Sequence, residues 1–100
     1  MFGTVGHARL TSGAGAKMSV LMDERTQTIR PTIPGGILEL TGKPTDRPGE
    51  MVFMALMRDE ATYRALANDS RQDAWYRRMI QLVERDTRWE DIEMEITLQD

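Results

Sequence analysis

Met51-Val52-Phe53-Met54-Ala55-Leu56-Met57 is an unbroken apolar run of seven residues, and its reading decides the fold. As a strand it has two buried faces, because successive side chains point to opposite sides of a sheet. Met, Ala and Leu also favour helix, so a single helix over 50–67 competes. Val52-Phe53 inside the run, and Asp59 placed as a fresh helix cap after it, favour the strand. The flanking polar stretch Gly42-Lys43-Pro44-Thr45-Asp46-Arg47-Pro48-Gly49 is rich in turn residues and reads as a hairpin connection. Ile37-Leu38-Glu39-Leu40-Thr41 is then the partner strand.

Outward from this hairpin the periodicity alternates between sheet and helix. Residues 2–10 form a strand with Phe2, Thr4, Gly6, Ala8 and Leu10 on one face and Gly3, Val5, His7 and Arg9 on the other. Thr11-Ser12-Gly13 is a turn and a helix cap, and residues 14–30 repeat Met18, Leu21, Met22 and Ile29 at helical spacing until Pro31. Residues 60–66 are helical, Asn68-Asp69-Ser70 interrupts, and Ser70 with Asp73 restarts the helix. Trp75, Met79, Leu82 and Val83 make one apolar stripe. Ile92, Met94, Ile96 and Leu98 alternate with Asp91, Glu93, Glu95 and Thr97 in a last strand, with the apolar set expected toward the helices.

The order strand–helix–strand–strand–helix–strand predicts an α+β, ferredoxin-like βαββαβ sandwich with an antiparallel sheet, in one domain over residues 1–100. Two helices cover one face of such a sheet. The apolar run needs cover on the other, and a second copy of the chain supplies it, so a homodimer is expected.

Composition excludes several function classes. The net charge of −3, from 13 basic and 16 acidic residues, has the wrong sign for bulk attraction to nucleic acid or anionic membrane. Residues 49–53 do not display the aromatics of an RNA-binding sheet. Cysteine is absent and there is one histidine, so neither a metal site nor a thiol nucleophile is expected. Gly13-Ala14-Gly15-Ala16-Lys17 and Gly42-Lys43 each lack glycines that a phosphate loop requires. No apolar stretch approaches a bilayer span, and Met1-Phe2-Gly3-Thr4 has no leader pattern, which leaves a cytoplasmic protein as the expectation.

Three features belong together: the strand ending Ala8-Arg9-Leu10 before Gly13, the methionine-rich hairpin strand, and Gln72-Asp73-Ala74-Trp75-Tyr76-Arg77-Arg78 on the last helix. In them the chain resembles the antibiotic biosynthesis monooxygenase type of dimeric α+β barrel. The resemblance implies a homodimer with two sheets packed face to face and a pocket in each subunit between sheet and helices. It implies small-molecule chemistry of several kinds: some members oxidise aromatic polyketides with molecular oxygen and without metal or flavin, which is the leading reading here, some degrade haem, and relatives with the same barrel isomerise lactones. Haem-degrading members use a first-strand Asn and a Trp followed by His. No histidine follows Trp75 here, and the chain departs from that pattern.

His7 is the side chain whose unperturbed pKa lies nearest neutrality, and it is the candidate catalytic base. It shares a face with Arg9, and cross-strand pairing with Glu93 and Glu95 is expected. Its bland alternative is a polar group at a subunit interface. Phe53, Tyr63 and Trp75 are the candidate substrate-binding residues, although Trp75 on its stripe also reads as core. The eight methionines read as adaptable core filler. Arg64, Arg71, Arg77, Arg78, Arg85 and Arg88, interleaved with Asp69, Asp73, Glu84 and Asp86, read as a solvated, ion-paired face. The alternative function is a non-catalytic ligand-binding or dimerisation module of the same fold.

Overall fold

The computed structural model describes residues 1–84 and 87–99. Its strands and helices are β1 (Phe2–Arg9), α1 (Gly15–Thr28), β2 (Gly36–Gly42), β3 (Glu50–Met57), α2 (Glu60–Ala67), α3 (Ser70–Met79) and β4 (Arg88–Glu93). The sheet is antiparallel with order β2-β3-β1-β4. This is the expected βαββαβ sandwich, with the apolar run as a central strand. Among the described residues no helix is long and apolar enough to cross a membrane.

Strand parity organises the molecule. Phe2, Thr4, Gly6 and Ala8 of β1 pair with Met57, Ala55, Phe53 and Met51 of β3 and share the helix-facing side. The core lies there, where Met51, Phe53 and Met57 pack with Met18 and Leu21 of α1 and Trp75 and Met79 of α3. The largest fully buried side chains are Met18, Met57 and Met79, filler whose unbranched stems adapt to the gap between layers. Val5, Val52, Met54 and Ile92 fall on the opposite side and are only half-buried, while Leu38 and Leu40 beside them are exposed.

Four local expectations are corrected. Residue 14, not the Thr11-Ser12-Gly13 turn, precedes α1, and no side chain caps it. Asp69 rather than Ser70 caps α3, its carboxylate accepting from Arg71 N at 2.8 Å. Asp59 caps α2 as expected, accepting from Thr62 N at 2.8 Å. The largest correction is β4, which begins at Arg88 and ends at Glu93 rather than covering 92–98. Its register sets Trp89, Asp91 and Glu93 beside Gly6, Thr4 and Phe2 on the helix side, and turns Ile92 to the outer side. Alternation gives a strand's period but not its sign. With apolar residues on both faces of this sheet, Ile92 fits the outer one.

The fourth correction follows from the third. His7 stands opposite Arg88 and Val52, and Arg9 pairs with Glu50 at 3.5 Å and Glu84 at 3.8 Å, so neither meets Glu93 or Glu95. The ion-paired face does form. Arg64 meets Glu60 and Asp91, Arg71 meets Asp69, Arg77 meets Asp73, Arg78 meets Glu24 and Arg88 meets Glu90. Arg85 and Asp86, part of the same reading, lie outside the described residues.

Candidate functional site

A cleft of about 510 Å³ opens between the sheet and the helices. The residues on its floor explain why it exists. One cross-strand row is Thr41-Phe53-Gly6-Trp89, and the next is Glu39-Ala55-Thr4-Asp91. Ala55 and Thr4 are short, and they sit at the centre of the sheet between the bulky Phe53 on one side and Met57 and Phe2 on the other. The helices rest on the bulky residues and leave the hollow over the short ones. Met22 and Arg25 of α1, Tyr63 and Leu66 of α2, and Trp75 and Tyr76 of α3 make the roof.

Phe53, Tyr63 and Trp75 are therefore brought together around one space. His7 is not. Gly6 faces the helices, so parity sends His7 to the opposite side of the sheet, away from the cleft. Trp89 and Tyr76 line the cleft and were missed by sequence reading. Trp89 is stacked on Phe53 with ring centroids 5.9 Å apart, and its indole N–H donates to the Tyr76 hydroxyl at 3.1 Å. The available signal was Gly6. A glycine in mid-strand marks a close approach, and here a Cβ would stand 2.4 Å from the Trp89 ring.

The polar groups of the cleft are held by one another. Arg25 is buried, with its side chain 9% exposed. Its Nη1 donates to both Glu39 oxygens at 2.6 and 2.5 Å, and its Nε donates to Gln72 Oε1 at 3.1 Å. Its guanidinium also lies 5.3 Å from the centroid of the Trp75 ring. Arg30 adds a second cation to Glu39 at 3.4 Å. The Trp75 indole N–H donates to the Leu21 carbonyl at 2.8 Å, which locks that ring to α1.

At the other end of the roof, Tyr63 donates its hydroxyl proton to Asp91 Oδ1 at 2.8 Å, while Arg64 Nη1 donates to Asp91 Oδ2 at 3.1 Å. Burial, and then the bond to Asp91, push the Tyr63 pKa above its ordinary value. The Tyr63 bond in turn holds the Asp91 carboxyl below the usual range, with Arg64 acting in the same direction.

The signs of the linkage are opposite. Tyr63 contributes stability that is complete below the ordinary tyrosine pKa of about 10 and is lost as pH rises through the folded value. Asp91 contributes stability that is complete above about pH 4 and is lost as pH falls through its depressed value. Alkaline titration followed at 295 nm is expected to show one tyrosine ionising above the ordinary range. That step should vanish in Tyr63→Phe and move down in Asp91→Asn. A Tyr63→Phe curve that still contains the late step would assign it to another residue.

No protein-family model matches the chain, and no curated protein sequence matches it. Solved structures do match in fold. SnoaB from Streptomyces nogalater, a cofactor-independent oxygenase, superposes with a TM-score of 0.84 over 99% of this chain and 97% of its own, at 16% identity. A protein from Deinococcus radiodurans, assigned as an antibiotic biosynthesis monooxygenase, gives a TM-score of 0.82 over 100% and 98% at 15% identity. Another antibiotic biosynthesis monooxygenase structure gives 0.79 over 96% and 100% at 14% identity. With superposition over nearly the whole of both chains in each case, this chain is built on the fold of the antibiotic biosynthesis monooxygenases, the fold of the dimeric α+β barrel structures.

Proposed function

We propose that the chain is a small-molecule enzyme that oxidises an aromatic, polyketide-like substrate with molecular oxygen, without a cofactor. One observation carries this reading. The chain keeps a cleft of about 510 Å³ with flat aromatic walls over a floor of short side chains, where a domain of 100 residues would gain stability by filling it. A planar ring system fits between Phe53 on the floor and Tyr63 and Trp75 in the roof. Stacking orients it, and the Tyr63 hydroxyl, aimed by Asp91, is the polar group placed to meet a phenolic oxygen.

The same reading includes a homodimer. Val5, Val52, Met54, Ile92, Leu38 and Leu40 form an apolar sheet face that a second copy covers. His7 then belongs to that interface rather than to the cleft.

One observation favours the alternative, a binding module without catalysis. The Tyr63 hydroxyl, the Trp75 indole N–H and the Arg25 Nε and Nη1 atoms are all engaged within the protein. Titration with aromatic phenols and quinols, followed by oxygen uptake on each that binds, separates the readings. Binding with uptake supports the enzyme, and binding without uptake supports the module. Ala55→Trp fills the hollow from the floor, and it is expected to weaken binding at least about tenfold, or 1.4 kcal/mol, while leaving the far-UV spectrum unchanged. Unaltered affinity in that variant would put the ligand elsewhere.

A further inference from the structure

We infer that Trp89 is the end wall of the cleft and sets the size of ring system that it admits. The inference rests on the cleft being an aromatic-ligand site and goes on to assign its length. Trp89 is the cleft-lining residue that β4 contributes among the described residues, and β4 is an edge strand. The cleft spans the Ala55–Thr4 row and the Phe53–Gly6 row beside it, and where the second row reaches β4 it is bounded by the Trp89 indole, which is 37% exposed.

Three contacts hold the ring across the opening. Below it, Gly6 leaves a slot in β1. Any side chain there would collide with the six-membered ring of the indole, since a Cβ would lie 2.4 Å from Cζ3 and 2.5 Å from Cε3. Along the row, the Phe53 ring stacks on it at an interplanar angle of 25°. Above it, Tyr76 of α3 accepts the indole N–H at 3.1 Å and meets the ring edge-on, with centroids 6.0 Å apart. Floor, neighbour and roof thus converge on one side chain, and the wall ties the sheet to α3. The register puts Trp89 on the helix side of an edge strand, and the slot, the stack and the hydrogen bond hold its ring over the cleft.

A ligand that outgrows the space must displace this ring. Removing it lengthens the cleft toward solvent, and the pocket floor and the Arg25–Glu39 end stay as they are. Phenol, 2-naphthol, 9-phenanthrol and 1-hydroxypyrene form a ladder of increasing ring number. Isothermal titration of this ladder into the wild-type chain, Trp89→Ala, Trp89→Phe and Gly6→Ala reads the wall directly. Trp89→Phe retains a ring in the slot and is expected to keep the wild-type cutoff. Trp89→Ala is expected to move the cutoff up by at least one step, with a gain of about tenfold or more for the first arenol that the wild type rejects. Gly6→Ala keeps the tryptophan but fills its slot, and it is expected to move the cutoff in the same direction. A near-UV spectrum altered in both Trp89→Ala and Gly6→Ala, with the far-UV spectrum unchanged, shows that the fold survives.

An unchanged cutoff in Trp89→Ala, or an equal loss for all four arenols, would overturn the wall while leaving the functional reading in place. A wild-type chain that binds none of them, with Trp89→Ala binding the ladder, would support the wall and remove that reading. Failure of both proteins to bind would overturn both.

Discussion

Trp75→Ala is expected to lower the stability of the folded chain by about 4 kcal/mol, the middle of the range for deleting a buried aromatic side chain. Trp75 is 7% exposed and stands in the core with Met18, Leu21, Met57 and Met79. Truncation leaves a void that α1 and α3 cannot close, because the indole is the piece that joins them through the Leu21 carbonyl. It also takes the aromatic face away from the Arg25 guanidinium. For a domain of this size the change corresponds to a fall in Tm of roughly 15–30 °C, and it is a large share of a total stability of about 5–15 kcal/mol. Urea denaturation checks it. Trp75→Phe keeps a ring in the core and is expected to cost well under half as much. Equal losses in the two variants would mean that the hydrogen bond to Leu21, rather than the packed surface, carries the effect.

The second large effect is expected at Arg25. Arg25→Met leaves Glu39 with its side chain 23% exposed and with Arg30 as its remaining cation. Breaking a buried pair from one side strands the other charge, at about 3–5 kcal/mol. Because Arg30 remains and Glu39 is only partly buried, the expected loss falls below that range, at about 2–3 kcal/mol. Replacing both partners removes the stranded charge, so Arg25→Met with Glu39→Gln is expected to recover more than half of the loss. The coupling measured in the double-mutant cycle should be about 1–2 kcal/mol. Additive single effects would show that Arg25 acts through its contacts with Gln72 and Trp75 alone. The same pair closes the β2 end of the cleft, so the cycle also reads how firmly that end is held.

Much of this could be read from local chemistry. Seven apolar residues between a turn-rich connection and Asp59 point to a central strand, since Val52-Phe53 and the cap at Asp59 weigh against one helix over 50–67. Proline and glycine punctuation marks the hairpin, and Trp75 and Met79, four residues apart, mark the helix that packs on it, whereas Val83, expected on the same stripe, lies past the helix end and bridges to Leu10. Strand parity over residues 2–10 put Thr4 and Gly6 on one face and His7 on the other, and the register agrees.

The parts that could not be read have a common cause. Two strands tell their own periods, but not which of two apolar faces each will present, because that sign is set by pairing between residues far apart in the chain. Thr4 meets Asp91 across β1 and β4, and this one pairing puts Trp89 in the cleft and turns Ile92 out of it. Arg25 and Glu39 read as two ordinary surface charges until α1 is laid over β2. The cleft itself is of the same kind. Short side chains at Ala55 and Thr4 are unremarked in one dimension, and they become a hollow only when the register sets them side by side and bulky neighbours hold the helices up. Periodicity and turn chemistry are properties of adjacent residues and are written along the chain, whereas a cavity is a property of what long-range pairing leaves unfilled.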